Sequence, residues 1–301
     1  MKPIEQPSNT IIFDAIGTQW TIDLHQQLDG ERLGSIEQKV KERINVFDKT
    51  YSRFRDDSLV TKISQTTGDY EFPDDAKRLF AFYRQLYDVT AGKVTPLIGN
   101  LLVEAGYDAT YSLQPNDELH SVSSWDDVMS YDHPRLAVRT PAMLDFGAAG
   151  KGYLVDIIGE LLSVEGITSY IVDAGGDMLR KDTNEDTIRV GLEHPTDPTE
   201  GIGVALLGNG SICGSAGNRR QWAGLHHIMD PDNAEPVRDI IATWAMSDTA
   251  LVADGMATAL FFTEPAKLQS AFPFEYCLVR RDFSFDRSAH FPAELFTSAD
   301  T

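Results

Sequence analysis

Cysteine is nearly missing from this chain: Cys213 and Cys277 are the only two. Two thiols cannot make a disulfide framework or a four-thiolate zinc site, so both read as buried thiols. No apolar run approaches the roughly 20 residues of a membrane-spanning helix. The opening residues, MKPIEQPSNTIIFDAIGTQW, lack the charged-then-apolar pattern of a leader and offer no lipidation cysteine. The chain as given reads as a soluble, cytoplasmic protein, and an exported form trimmed of its leader would read the same. Positive charge is scarce too: 26 Lys and Arg stand against 46 Asp and Glu, a net charge of −20. That balance argues against wrapping nucleic acid or docking on anionic lipid, and by itself names no partner. Repeats, low-complexity segments and clear linkers are absent as well.

What is present suits a large core: 42% of the 301 residues are hydrophobic, which excludes a disordered chain. Residues 10–24 hold two β-rich runs around Gly17 and predict a hairpin or bulge. Leu33, Ile36, Val40, Ile44, Phe47 and Tyr51 recur at threes and fours, which predicts a long helix over 29–51. Pro73 is placed to open a second helix with Leu79, Phe82 and Leu86 inward, and Phe80 or Tyr83 as a further inward position. The apolar, glycine-rich stretch 92–108 reads as a buried loop or short helix. Strands are expected at 135–139, 142–146, 168–173, 187–193, 202–207, 225–229, 239–246 and 275–281, and helices at 149–165 and 249–262. Strands outnumber helices without regular alternation, which points to an α+β fold with antiparallel sheets. The chain reads as one compact unit over 1–301, helix-rich to about 134 and sheet-rich from 135 onward.

Four stretches carry candidate chemistry. In DFGAAGKGYLVD (145–156) an acidic residue and glycines run into an apolar-periodic helix. No Ser or Thr follows Gly150-Lys151, so this is not a P-loop, and the glycine order is not the dinucleotide fingerprint. A helix start still offers N–H groups and a positive dipole to an anion, with Lys151 adding a cation. The competing reading is a tight strand-to-helix turn with a surface lysine. Asp254 and Thr258 lie four apart on one predicted helix face and would suit magnesium, with phosphates and water completing the shell. Alternatively, Asp254 answers the helix dipole with Thr258 packed behind it. In HHIMDP (226–231) a histidine at a strand end is either a general base or a satisfied structural group. VDAGGDM (172–178) is a second close-approach loop or a plain turn. Taken together, an anion-greeting turn, a hard-oxygen pair and a histidine suggest chemistry on a phosphate ester or anhydride.

In their order, AIGTQW (15–20), YSRFRDDSLVTKIS (51–64), DFGAAGKGYLVD, HIMDP and ADGMATALF (253–261) resemble the FAD:protein FMN transferases, the ApbE-type flavin transferases. GKVTPLIG (92–99) and VDAGGDM fit between them, so the similarity spans about 11 to 262. The resemblance implies a T-fold-like α+β architecture and a magnesium-dependent reaction. FMN would move from FAD to a Thr or Ser hydroxyl in the flavinylation motif of an acceptor protein, releasing AMP. It implies metal binding by Asp254, Thr258 and the backbone of Ala148, and activation of the acceptor hydroxyl by His227. Asp145 and Lys151 would contact the FAD nucleotide, whose pyrophosphate would sit at the 147–152 helix start. Ile16, Phe54, Lys93, Val94, Thr95 and Met229 match further FAD-site positions. Four positions depart from the family pattern: Thr95 stands for an aspartate, Phe54 for a tyrosine, Ile16 for a methionine, and Ala216 in CGSAG (213–217) for a hydroxyl residue. Two other readings use the same residues: an FAD pyrophosphatase with water as acceptor, and a flavin-binding protein without catalysis.

Overall fold

The computed structural model describes residues 9–296. Both ends of the 1–301 unit, including the first eight residues read for a leader, lie outside the described residues. Its frame is an eight-stranded sheet: β1 (Asn9–Ala15), β2 (Thr18–Leu24), β3 (Tyr170–Ala174), β4 (Met178–Lys181), β5 (Gly210–Ala216), β6 (Ile240–Ser247), β7 (Glu275–Arg280) and β8 (Phe285–Arg287). The strands lie side by side in chain order, and each neighbouring pair is antiparallel. Period-two burial sets the faces: Trp20, Ile22 and Leu24 of β2 all point into the core. The β1–β2 turn has two residues, Ile16 and Gly17, at φ 43° and 77°. Both are left-handed, as a hairpin turn of matching twist requires.

Between β2 and β3 the chain leaves the sheet and builds three longer helices: α1 (Gly30–Tyr51), α2 (Ala76–Val89) and α3 (Gly150–Val164). A fourth, α4 (Ala250–Ala259), follows β6. Asp29 caps α1 by accepting from the Arg32 N–H at 2.7 Å. The predicted stripe Ile36, Val40, Ile44, Phe47 and Tyr51 is buried, and Leu33 packs at its margin. α2 begins at Ala76 rather than at Pro73, because 73–75 form a turn closed by the Ala76 N–H on the Pro73 carbonyl at 2.9 Å. Leu79, Phe82 and Leu86 point inward as expected, joined by Phe80 and Tyr83. α3 is buried nearly all round, so it is an interior helix, packed against α4 and β3.

Beside the eight-stranded sheet stand two three-stranded sheets, Gly68–Glu71 with Arg135–Val138 and Met129–Asp132, and Ile188–Glu193 with Gly201–Leu207 and Ala293–Leu295, and two two-stranded ones, Gln221–Trp222 with Leu225–His226 and Met229–Asp230 with Glu235–Pro236. The architecture is α+β with antiparallel sheets. Two expected elements differ in detail, and the short helix expected within 92–108 is present. Residues 142–146 are not a strand, because the Asp145 N–H bonds the Pro96 carbonyl at 2.8 Å and the Met143 N–H bonds Asn100 Oδ1 at 2.9 Å. Alternating burial of Ala142, Leu144 and Phe146 imitates strand patterning there. The expected strand at 225–229 is two short pieces, Leu225–His226 and Met229–Asp230, broken at His227. Residues 92–108 hold a short 3-10 helix, Pro96–Ile98, and an α-helix, Gly99–Glu104.

Candidate functional site

One cavity of about 710 Å³ opens where the β1–β2 turn, the 51–55 segment, the 93–98 loop, the start of α3, the end of β5, the 227–229 segment and α4 converge. This is the size range of small-molecule sites. All twelve residues singled out from the sequence line it: Ile16, Phe54, Lys93, Val94, Thr95, Asp145, Ala148, Lys151, His227, Met229, Asp254 and Thr258.

Asp254 sits at the α3–α4 contact. It is 4% exposed, and its Oδ2 accepts from the Gly152 N–H at 2.8 Å. It does not serve the start of its own helix: Asp156 accepts from the Ala250 and Leu251 N–H groups at 2.8 and 2.9 Å, and Thr249 caps Val252. Burial, and then the nearby Asp177 carboxylate, push the Asp254 carboxyl well above the usual range, against the pull of Lys151. Gly152 is obligatory here, because a Cβ would lie 2.1 Å from the Ala250 carbonyl oxygen.

Lys151 reaches across to β3 and the loop that follows it. Its ammonium forms an ion pair with Asp177, itself 1% exposed, and donates to the Ala174 carbonyl at 3.2 Å. Burial lowers the affinity of Lys151 for its proton, but Asp177 and Asp254 outweigh that and hold it above the usual lysine value. The Asp177 loop turns on Gly175 and Gly176 at φ 69° and 99°. A Cβ on Gly175 would meet Thr18 Oγ1 at 1.9 Å, so the β1–β2 hairpin presses directly on this loop. The close approach at VDAGGDM is that of Thr18 in the hairpin, and the partner of its Asp177 carboxylate is Lys151.

The start of α3 is less open to an anion than its glycines suggest. The Gly147 N–H bonds Asp145 Oδ1 at 2.6 Å, Ala149 N–H bonds Tyr83 Oη at 3.2 Å, Gly150 N–H bonds the Phe146 carbonyl at 2.7 Å, and Gly152 N–H is taken by Asp254. Asp145 is also ion-paired to the buried Arg53.

The histidine pair divides. His226 lies 2.7 Å from the Val237 carbonyl through Nε2, and its Nδ1 accepts from the Ile228 N–H at 3.2 Å. It is a structural residue. His227 lines the cavity with Nδ1 buried and without a partner. Burial, with Arg220 adding repulsion, lowers its pKa to about 3, so the ring is neutral at physiological pH. Met229 is buried beside it. Lys93 bridges to this segment through Asp230 and Asp232, both at 2.7 Å. Val94 and Thr95 are buried, and Thr95 Oγ1 accepts from the Leu97 N–H at 3.2 Å, so Thr95 caps the 3-10 helix. Phe54 stacks on Tyr111 at a centroid distance of 5.3 Å and meets Tyr107 edge-on at 5.4 Å.

Arg53, Tyr107, Tyr111, Asp177 and Arg220 also line the cavity, and the sequence reading did not single them out. Arg53 and Asp177 fall inside the quoted motifs. The other three carry no local signal and join the site only through folding.

The residues present suit a hard divalent cation. Two buried carboxylates, Asp177 and Asp254, have one ammonium between them, that of Lys151. Asp254, the Thr258 hydroxyl and the Ala148 carbonyl are oxygen donors. Among the described residues no cluster of three His, Cys, Asp or Glu could enclose a metal, so substrate and water would supply the rest, as magnesium tolerates.

A model of the ApbE family matches residues 16–273. Similar curated proteins include the FAD:protein FMN transferase of Klebsiella pneumoniae (strain 342), 23% identical over 89% of this chain and 82% of its own length. The FAD:protein FMN transferase of Haemophilus influenzae is 25% identical over 77% of this chain and 71% of its own. Among solved structures, the ApbE protein from Thermotoga maritima superposes with a TM-score of 0.82 at 22% identity, covering 95% of this chain and 98% of that one. The flavin transferase ApbE from Vibrio cholerae gives 0.76 at 18% identity, covering 95% and 99%. The chain belongs to the ApbE family.

Proposed function

From that membership we propose that the protein is an FAD:protein FMN transferase, moving FMN from FAD to a Thr or Ser hydroxyl of an acceptor protein. The observation that carries the reading is one cavity holding a buried carboxylate, Asp254, and a neutral imidazole, His227, whose Nδ1 has no partner among the described residues.

Asp254, Thr258 and the Ala148 carbonyl would hold magnesium, which when bound neutralises pyrophosphate charge and polarises the phosphorus under attack. His227 is neutral across the physiological range and has a free Nδ1, so it can take the proton of an incoming hydroxyl. The acceptor oxygen forms a bond to the FMN phosphorus, the bond from that phosphorus to the bridging oxygen breaks, and AMP leaves with the bridging oxygen. Lys151, held by Asp177, places positive charge at the cavity wall beside Asp254. Met229, Phe54 and Val94 supply apolar surface to the cavity wall, which limits water near the reacting bond.

The test is incubation with FAD and magnesium, with and without a peptide carrying an acceptor threonine, following AMP and peptide mass. AMP together with an FMN-sized gain on the peptide supports the transferase. AMP with free FMN and an unlabelled peptide would make it a pyrophosphatase, and FAD bound without AMP release would make it a binding protein.

A further inference from the structure

The resemblance gives Asp145 a contact with the nucleotide, but each oxygen of its carboxylate already accepts a hydrogen bond from within the protein. Oδ2 accepts from Nε of Arg53, and Oδ1 accepts from the Gly147 N–H at 2.6 Å. The spare group at this wall of the cavity belongs to the arginine. Arg53 is 4% exposed and lines the cavity. Its Nη1 donates to the Tyr107 carbonyl at 2.6 Å. Its guanidinium carbon lies 4.2 Å from the centre of the Phe54 ring and 4.7 Å from that of Tyr107. Nη2 is buried and has no partner among the described residues. Two hydrogen bonds and two ring contacts hold the guanidinium still, and Nη2 is left over. Burying a charged donor unmade is costly, so a rigidly held one beside a cavity is matched to a ligand acceptor.

We infer that Arg53 is a specificity-determining residue: Nη2 donates to an acceptor atom on a planar ring of the bound dinucleotide, with Asp145 fixing the guanidinium from behind. This rests on the FAD reading above. The acceptor is a carbonyl oxygen if the ring is the flavin, or a ring nitrogen if it is the adenine. Phe54 lies under the same guanidinium, so its lack of a phenolic hydroxyl costs the site no donor: Arg53 supplies one. A ring edge offering only N–H donors here meets an N–H donor and is rejected, which is how a buried polar group discriminates strongly.

The experiment compares wild type with Arg53→Met, which keeps the apolar stem against Phe54 and Tyr107. Dissociation constants are measured with magnesium for FAD, FMN and AMP. The expected result is a roughly tenfold or greater loss for FAD, the usual scale for a hydrogen bond to a charged group. The loss is shared by only one of FMN and AMP, and that one identifies the ring. Unchanged binding of all three overturns the assignment, and so does an equal loss of FMN and AMP, which marks a structural role. If Arg53→Met does not fold, wild type is titrated with FMN carrying sulfur for either ring carbonyl oxygen and with AMP carrying CH for each ring nitrogen. A tenfold loss for one analogue supports the assignment, and parent-like affinity throughout overturns it. Wild type binding none of FAD, FMN or AMP instead removes the FAD reading, and this assignment with it.

Discussion

Gly152→Ala tests the α3–α4 junction on which the site depends. The added Cβ would lie 2.1 Å from the Ala250 oxygen, 2.6 Å from Asp254 Cβ and 2.7 Å from the Ala250 carbonyl carbon. Two of those atoms are backbone, so no side chain can swing away and the helices must separate. Overpacking of this kind costs about 1–3 kcal/mol, and more when backbone must move. Separation also strains the charge-assisted bond from the Gly152 N–H to Asp254, worth about 1.5–3 kcal/mol. Better helix propensity returns about 1 kcal/mol. The net is a loss of about 4 kcal/mol, a fall in Tm of roughly 8 °C or more at about 2–4 °C per kcal/mol. Gly34→Ala is the control. It lies within α1, where a new Cβ meets nothing within 4 Å, so the propensity gain stands alone and Tm rises by about 2 °C. Calorimetry of both variants, with FAD turnover measured alongside, checks the pair. A Gly152→Ala protein as stable as Gly34→Ala would refute the reasoning.

Three further outcomes are expected. Burial lowers the His227 pKa to about 3, so kcat/KM should show no histidine-dependent acid limb between pH 5 and 8; a limb near 6.5 removed by His227→Ala would mean a solvated ring. Asp156 is raised from 3.8 to about 6, chiefly by burial, so its favourable term is complete below the unfolded value and lost as pH rises through the folded one. Compared with Asp156→Asn, wild type should gain about 2.4 kcal/mol between pH 7.5 and pH 4 at about 1.36 kcal/mol per unit, and parallel Tm curves would contradict this. Cys213 and Cys277 are fully buried, burial pushing the first thiol well up and the second to about 11. A disulfide reagent at pH 8 should label neither until denaturant is added, when both react; native labelling of either would show an open thiol.

What could be read from the sequence was whatever is local. The α1 stripe from Ile36 to Tyr51 follows from spacing alone, and so does the hairpin around Gly17. Residues 142–146 show the limit. Alternating burial is shared by strands and by chain pinned to a loop, and only the Asp145–Pro96 and Met143–Asn100 bonds separate them. The site motifs were visible, but not their partners. Lys151 looked free for a phosphate because Asp177 lies on another element. Asp254 looked like a helix-start carboxylate because nothing in its own segment reveals that Asp156 fills that place. Tyr107, Tyr111 and Arg220 occupy segments without any motif, so only the folded chain brings them to Phe54 and His227.

The chain-order arrangement of the main sheet bears on how the protein is made. β2 and its buried Trp20, Ile22 and Leu24 pair with β3, at Tyr170–Ala174, so the N-terminal hairpin leaves the ribosome long before its neighbour exists. At synthesis rates of about 5–20 residues per second the wait is on the order of ten seconds. Throughout it an apolar hairpin with an open edge is exposed to other nascent chains. The cavity takes residues from Ile16 to Phe262, so ligand cannot assist until nearly all of the chain has emerged. Yield of this protein in cells should therefore respond to translation speed and to chaperone supply more than to FAD supplied during synthesis.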